Sequence, residues 1–233
     1  MNRAQVLDRL DGLVATHSIL AHPFYQAWQR GELTQGQLAT YARIYYPHVA
    51  AFPGHLRDAV ARATDADARE ELARNLADEL GQPAPHPELW LDFAEELGLD
   101  RAQVASDVVH RSAECMVETL RANARGTTAA ALAALYAYES QQPEVSETKM
   151  HGLRDHYGIT SDKGLRYFSV HATLDLEHRQ GERETLGRCL DQGADAEEVL
   201  GAAADTLKAY WQLLDGVCAE AGIACATAKA VIA

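Results

Sequence analysis

Two histidines and an aspartate are spaced so that they would share one face of a helix. His171, Asp175 and His178 occupy relative positions 0, +4 and +7, which fall within roughly 60° of one another at about 100° per residue. Two imidazoles and a carboxylate would then project in one direction, as they do where helices chelate metal ions. The alternative is a solvated face, because Glu177 and Glu182 indicate that this helix has an exposed side.

Three further side chains are candidates to complete such a site. Glu139 ends an apolar helical run over residues 132–139, and a lone buried carboxylate is costly unless a cation or a donor compensates. An outward-facing carboxylate at the end of that run is the alternative. Glu79 ends an amphipathic pattern, and His86 follows seven residues later. Because prolines stand at 83 and 85, we expect His86 to approach from a less rigid segment than a helix shared with Glu79.

Together these residues supply three carboxylates and three imidazoles. Hard oxygen donors combined with imidazoles suit iron or manganese, and the absence of a nearby thiolate argues against a structural zinc site. Two divalent ions would carry a charge of +4 against −3 from the carboxylates of Glu79, Glu139 and Asp175. The pattern therefore predicts a two-metal centre with charge left for an oxygen-derived anion, and hence dioxygen chemistry.

Helical patterns separated by short breakers would position these residues. Apolar residues recur at helical spacing, and the Val, Ile and Thr alternation typical of strands is absent. We predict an all-α fold, and because no repeat or long linker interrupts it, one domain over residues 1–233. The predicted helices cover about 2–15, 22–30, 34 onward, 65–80, 87–97, 102–124, 127–142, 149–157, 162–190 and 196–221.

Composition excludes several classes of partner. The chain has 233 residues, 47% of them hydrophobic, and a net charge of −13, which argues against nucleic acid and against an anionic membrane. No apolar run approaches the roughly 18–20 residues that cross a bilayer, and the first residues lack a signal peptide's apolar stretch. Four separated cysteines form no Cys-x-x-Cys pair, so we expect thiols in a reducing, cytoplasmic compartment.

Several short sequence motifs together give a specific resemblance to a known family over residues 15–185. They are Ala-His-Pro-Phe-Tyr-Gln-Ala-Trp at 21–28, Tyr-Tyr-Pro-His-Val-Ala-Ala-Phe-Pro at 45–53, Asp-Glu at 78–79 with His-Pro-Glu-Leu-Trp at 86–90, Tyr-Glu-Ser-Gln-Gln-Pro-Glu-Val at 138–145 with Lys149, and Tyr167-Phe168 with His171, Asp175 and His178. In these motifs the chain resembles the heme-oxygenase-like di-metal oxidases of the TenA/PqqC-like fold. It is most similar to the CADD-type para-aminobenzoate synthases.

The resemblance implies a seven-helix heme-oxygenase-like bundle without heme, in a homodimer. The family's cofactor would be two divalent ions, as an iron pair or one iron with one manganese, and its co-substrates would be dioxygen and an external reductant whose identity the sequence does not reveal. The family's ligands fall on the six residues already selected, namely Glu79, His86, Glu139, His171, Asp175 and His178.

The resemblance also implies an unusual reaction, in which the enzyme converts one of its own tyrosines into para-aminobenzoate, the folate precursor. No external aromatic substrate would then be needed. Tyr25 matches the consumed ring, Lys149 the amino donor, and Tyr41 a second tyrosine that would serve as a radical relay. From residue types alone, Tyr25 would be assigned to the core and Lys149 to the solvated surface. Leu80 and Pro47 differ from the residues that family members usually have at these positions. Neither is among the six ligands, so the difference would affect the surroundings of the metal centre more than metal binding itself.

Three other functions fit parts of the sequence. The same metal centre could oxidise an external small acid, such as a fatty or amino acid. A thiaminase-type hydrolase would instead need a nucleophilic cysteine, and none of the four lies near Glu139 or His171. A non-catalytic interaction protein would have no use for six ligands. We therefore favour the self-consuming oxygenase.

Overall fold

The computed structural model describes residues 1–224, which contain eleven α-helices, one short 3-10 helix and no strand. The predicted all-α class is confirmed. The helices are α1 (Arg3–Thr16), α2 (Pro23–Gln29), α3 (Gln35–Arg62), α4 (Ala66–Glu79), α5 (His86–Glu96), α6 (Arg101–Ser106), α7 (Arg111–Ala124), α8 (Thr128–Glu139), α9 (Gln142–Asp155), α10 (Asp162–Asp191) and α11 (Ala196–Glu220).

The described residues form eleven α-helices, one more than the ten that the pattern predicts, because one predicted helix is interrupted. The pattern over 102–124 divides into α6 and α7, since His110 caps a new helix by accepting a hydrogen bond from the amide of Ser112. The pattern over 127–142 stops at Glu139, and α9 starts at Gln142 rather than at Lys149. Pro143 explains this second break, because proline is tolerated in the first turn of a helix and not in its interior.

Helix α8 lies at the centre of the bundle. All twelve of its residues are buried, which agrees with a run that is apolar on every side. It packs against α7, α10 and α11. One hydrophobic cluster extends around it from Val6 in α1 to Val217 in α11. A carboxylate at the end of this helix, Glu139, is therefore carried into the core.

The long helices α3 and α10 place the remaining functional side chains. Helix α10 has 30 residues and contacts α1, α4, α5, α8 and α9, so its buried side chains meet five neighbouring helices. Helix α3 has 28 residues and contains Pro47 and Pro53.

Of the helices within residues 1–224, none is long and apolar enough to span a bilayer.

The cysteines differ from the expectation in one respect. Cys115 is exposed, Cys189 is buried, and both are free, whereas Cys218 is disulfide-bonded. The expectation of four thiols is therefore wrong at Cys218, and Cys225 lies outside the described residues. Linear spacing could not reveal this bond, because it does not show which sulfur atoms approach each other in the fold.

Candidate active site

Six ionisable side chains from distant parts of the chain meet in the core. They form two groups, and within each group one ligand atom of every residue lies within 4.8 Å of the others. The first triad consists of Glu79, His86 and His171, and the second triad consists of Glu139, Asp175 and His178. All six are buried. The structure thus brings together every residue that the sequence predicts as a metal ligand.

Helix ends and one helix face present these side chains. Glu79 and Glu139 are the last residues of α4 and α8, and α10 supplies the other carboxylate and two of the imidazoles from its inner face. His86 is the first residue of α5. Glu79 and His86 therefore belong to different helices, as the prolines predict. His86 stands at the start of a regular helix rather than in a loop, because Pro87 is favoured in a first turn.

The imidazoles of the first triad converge on one carboxylate oxygen. Nδ1 of His86 lies 2.8 Å from Oε1 of Glu79, and Nε2 of His171 lies 3.7 Å from the same oxygen. Nδ1 of His171 donates to the carbonyl oxygen of Tyr167 at 2.7 Å, so Nε2 is the nitrogen free to bind a cation. Burial raises the pKa of Glu79, but His86 and His171 outweigh it and lower that pKa to about 2.

The second triad is held by a carboxylate on each side of His178. Nδ1 of His178 lies 3.3 Å from Oδ1 of Asp175 and 3.8 Å from Oε1 of Glu139. Nε2 lies 3.0 Å from Oδ2 of Asp78 on α4. Burial lowers the pKa of His178, and the surrounding carboxylates more than reverse this and raise it to about 10. Asp78 therefore orients the ring, a role that sequence reasoning did not assign to it.

A second layer of polar residues surrounds Glu139. The amide nitrogen of Asn75 donates to both carboxylate oxygens of Glu139, at 3.1 and 2.9 Å, and to Oε1 of Glu182 at 3.4 Å. Glu182 is buried, so its use as a sign of an exposed face was wrong. The signal that identifies it is periodicity, because Glu182 stands four residues after His178 and continues the same helix face.

Two unsatisfied atoms and the donor set fit a pair of divalent cations. Nε2 of His86 and Oδ2 of Asp175 are buried without a hydrogen-bond partner in the described chain, a rare condition for polar atoms. Burial, opposed by the hydrogen bond with Glu182 and the charge of His178, raises the pKa of Glu139 to about 7. Bound cations would satisfy both atoms and favour the ionised carboxylate.

A second buried region surrounds the amine of Lys149 on α9. Five aromatic rings lie with their centroids 5.3–5.9 Å from its Nζ. We call this region the aromatic chamber, and it is formed by Tyr25, Tyr41, Tyr45, Trp90 and Phe168. Burial lowers the pKa of Lys149 to about 7. The expectation from residue type, a solvated lysine, does not hold here, since the side chain is 1% exposed.

The two tyrosines selected by resemblance contact each other in this chamber. The hydroxyl oxygens of Tyr25 and Tyr41 are 3.2 Å apart, and Nζ of Lys149 lies 5.3 Å from the centroid of the Tyr25 ring. Burial raises the pKa of both phenols well above the usual value. Helices α2, α3 and α9 therefore bring a neutral phenol and a readily deprotonated amine together out of contact with water.

A row of rings connects the aromatic chamber to the first triad. Trp90 stacks on Tyr45 at a centroid distance of 4.9 Å and meets Tyr167 edge-on at 4.8 Å. The ring of Tyr167 lies 4.2 Å from that of His171. Tyr45 and Trp90 fall within the motifs that carry the resemblance, but residue type and spacing do not distinguish them from other core aromatic residues.

Comparisons with known proteins agree with this geometry. A family model described as an iron-containing redox enzyme matches residues 39–211. The 4-aminobenzoate synthase of Chlamydia muridarum is 35% identical over 213 residues, which cover 90% of this chain and 88% of that protein. The 4-aminobenzoate synthase of Nitrosomonas europaea is 35% identical over 219 residues, covering 90% and 89%.

A solved structure from Shewanella denitrificans supports the fold alone. It is described as a domain of unknown function with a heme oxygenase-like fold, and it aligns with a TM-score of 0.76 at 16% identity over 96% of this chain and 94% of that one. The sequence-based assignment of the fold is thereby confirmed. By the extent of the model match and the identity to both synthases, the chain belongs to the iron-containing redox enzymes of heme-oxygenase-like fold and groups with the 4-aminobenzoate synthases.

Proposed function

We propose that this protein is a dinuclear metal oxygenase that makes 4-aminobenzoate from its own Tyr25, with Lys149 as the source of nitrogen. The observation that carries the proposal is the placement of Nζ of Lys149 at 5.3 Å from the Tyr25 ring centroid inside the aromatic chamber. A lysine amine is rarely buried without a charged partner. Amination of the neighbouring ring would explain why this one is kept there.

The state of the amine suits this role. A nitrogen atom can attack an oxidised ring only through its lone pair, and an ordinary lysine near pH 7 is almost entirely protonated. Because burial lowers the pKa of Lys149 to about 7, about half of the molecules hold a neutral amine at that pH. Tyr41 lies within hydrogen-bonding distance of the Tyr25 hydroxyl, where it can hold the phenolic proton or relay an electron.

The two triads would hold the cofactor. Carboxylates and imidazoles suit two irons, or one iron with one manganese, and such a pair would supply the oxidising power of dioxygen once an external reductant is present. Glu79, His86 and His171 would hold one ion. The second triad would hold the other, and the rings of Tyr167 and Trp90 offer a path for electrons toward the aromatic chamber.

The size of the space beside the triads favours an internal substrate. The cavity that borders both triads has a volume of about 10 Å³, which accommodates about one water molecule. A fatty acid or an amino acid would require a far larger site. Tyr25, in contrast, is already inside the protein, so the reaction needs no entrance for an organic substrate.

Isotope labelling tests the proposal directly. Protein made separately with ring-¹³C tyrosine and with side-chain-¹⁵N lysine is loaded anaerobically with iron, or with iron and manganese, and then exposed to dioxygen and a reductant. We expect 4-aminobenzoate released by the first protein to carry the ¹³C label and that released by the second to carry the ¹⁵N label. The intact protein should lose mass at Tyr25 and Lys149.

Matched variants define the source of each atom. Tyr25→Phe and Lys149→Arg should abolish the product, whereas Tyr157→Phe and Lys163→Arg, at a tyrosine and a lysine outside the aromatic chamber, should leave the yield unchanged. Unlabelled product, or an unchanged mass at Tyr25, would contradict the proposal. Turnover of an added small acid by Tyr25→Phe would favour an external substrate instead.

A further inference from the structure

His48 on α3 is a buried histidine that the proposed reaction does not yet use. Its side chain has no exposed surface, and neither ring nitrogen has a hydrogen-bond partner within the described chain. Leaving a buried donor or acceptor unpaired costs roughly 1–3 kcal/mol. A histidine with two such atoms in the core is therefore expected to have a partner other than a protein group.

The surrounding side chains hold the ring of His48 but do not hydrogen-bond to it. The ring meets Tyr138 edge-on at a centroid distance of 4.7 Å and Tyr45 at 5.2 Å. The hydroxyl groups of these two tyrosines lie 3.0 Å apart and bond to each other. Phe52 closes a third side at 6.0 Å. The aromatic contacts thus fix the orientation of the imidazole while its polar edges stay unpaired.

The ring of His48 borders the small cavity beside the triads. That cavity of about 10 Å³ is lined by His48 together with Glu79 and His171 of the first triad and Glu139 of the second. Val49, Phe52 and two tyrosines complete the wall. Whatever small molecule enters this space is therefore bordered both by predicted metal ligands and by an unpaired imidazole.

We propose that His48 hydrogen-bonds to an oxygen ligand of one or two atoms, dioxygen or water, in the cavity between the triads. This inference rests on the proposed function, because it assigns the cavity to the open side of the metal centre. His48 is a positioning residue rather than a seventh metal ligand, since neither group of converging ligand atoms includes it. Burial lowers the pKa of His48 to about 3, so the ring is neutral and has one N–H to donate.

Nitric oxide is a suitable probe of this contact. Ferrous-loaded protein under anaerobic conditions binds it without starting the reaction, and its N–O stretching frequency responds to hydrogen bonding. We expect this frequency to shift when the protein is transferred to D₂O, and the shift to vanish in His48→Phe. Loss of one hydrogen bond should also accelerate release of nitric oxide about two- to tenfold.

Three companion measurements make the outcome decisive. His55→Phe is the matched control, because His55 is also a buried histidine of α3 with an unpaired Nε2 but does not line the cavity. It should behave as the unmodified protein. His48→Gln restores a donor and should recover slow release. Iron content should be the same in all three variants.

Each remaining result would overturn the inference in a recognisable way. If His48→Phe keeps its iron and the D₂O shift persists, His48 does not contact the ligand, while the proposed metal centre stands. If His48→Phe loses iron that His55→Phe retains, His48 is a metal ligand instead. If the unmodified protein binds neither iron nor nitric oxide, the proposed function fails together with the inference.

Discussion

The two triads and the aromatic chamber are both buried, yet they treat ionisable groups in opposite ways. In the triads, charged groups are brought together: the pKa of Glu79 falls to about 2 and that of His178 rises to about 10. In the aromatic chamber, charge is removed: burial lowers the pKa of Lys149 to about 7 and raises that of Tyr25 well above its usual value.

The difference shows how one core can serve two chemical purposes. Burial penalises any charge, and the triads offset this penalty with neighbouring charges of the opposite sign. In the aromatic chamber the desolvation of the amine is not offset in this way, so the neutral form of Lys149 is favoured. Changes that supply or remove charge should therefore affect the two regions differently.

The largest effect should come from removing a carboxylate of the triads. Asp175→Ala takes away one ligand and leaves His178 without its 3.3 Å partner. We expect more than a hundredfold loss of metal affinity at the second triad and no detectable product, measured by elemental analysis and mass spectrometry. Glu177→Ala changes an exposed residue of the same helix and should retain both metals. Equal metal content in the two variants would contradict the assignment of the second triad.

A weaker effect should follow from loss of the residue that orients His178. Asp78→Ala removes the acceptor 3.0 Å from Nε2 of His178 without removing a ligand. Outer partners of this kind typically contribute about 10- to 100-fold in metal affinity, and competition with a chelator would measure the change. Asp67→Ala, at an exposed acid near the start of the same helix, should leave the affinity unaltered. Unchanged metal affinity in Asp78→Ala would show that Asp78 does not support the second triad.

Stability should respond to pH in the aromatic chamber through Lys149. Between its folded pKa of about 7 and an unfolded value of about 10.4, the unfolded chain binds a proton that the folded chain does not, so raising the pH stabilises the fold. Between pH 7 and pH 9 this amounts to about 2 kcal/mol. Urea denaturation should show that Lys149→Met lacks this increment.

Exposed Lys163 on α10 provides the control for that measurement. Its amine pairs with Glu95 at the surface, and Lys163→Met should retain the pH dependence of the unmodified protein between pH 7 and pH 9. A Lys149→Met variant with the same pH dependence as the unmodified protein would show that the buried amine keeps its charge. The contrast between the triads and the aromatic chamber would then be lost.

The smallest predicted effect concerns the rate of product formation. If the neutral amine of Lys149 is the reacting species, its fraction rises about tenfold between pH 6 and pH 8 for a pKa of about 7. The initial rate of 4-aminobenzoate formation should rise by the same factor in metal-loaded protein. Metal content must be measured at both pH values, and a flat profile at constant metal content would indicate that deprotonation of Lys149 does not limit the reaction.

Four residues of the triads were predictable from sequence because local rules identify their positions. His171, Asp175 and His178 follow helical periodicity, and Glu139 ends a run that is apolar on all sides. The same rules failed at Glu182, whose type suggests solvent although it lies on the buried face of α10. At this position the helical spacing is the better guide, because Glu182 follows His178 by one helical turn.

The aromatic chamber and the environment of His48 could not be predicted by such rules. Proximity of Lys149 to Tyr25 arises from the packing of α9 against α2, and no periodicity within either helix shows which distant ring a lysine will meet. Only the resemblance selected these two residues. Asn75 was missed for the same reason, because its importance depends on Glu139, 64 positions away.

The burial of Tyr25 has a consequence for the molecule after one round of reaction. The ring has no exposed surface, and α2, which holds it, is only seven residues long. Removal of an aromatic side chain from a packed core leaves a void and destabilises a protein by about 3–5 kcal/mol. A spent chain would therefore melt earlier than a fresh one and open more often to proteases. The burial of Tyr25 would then explain both why each chain reacts once and why the spent chain is degraded quickly.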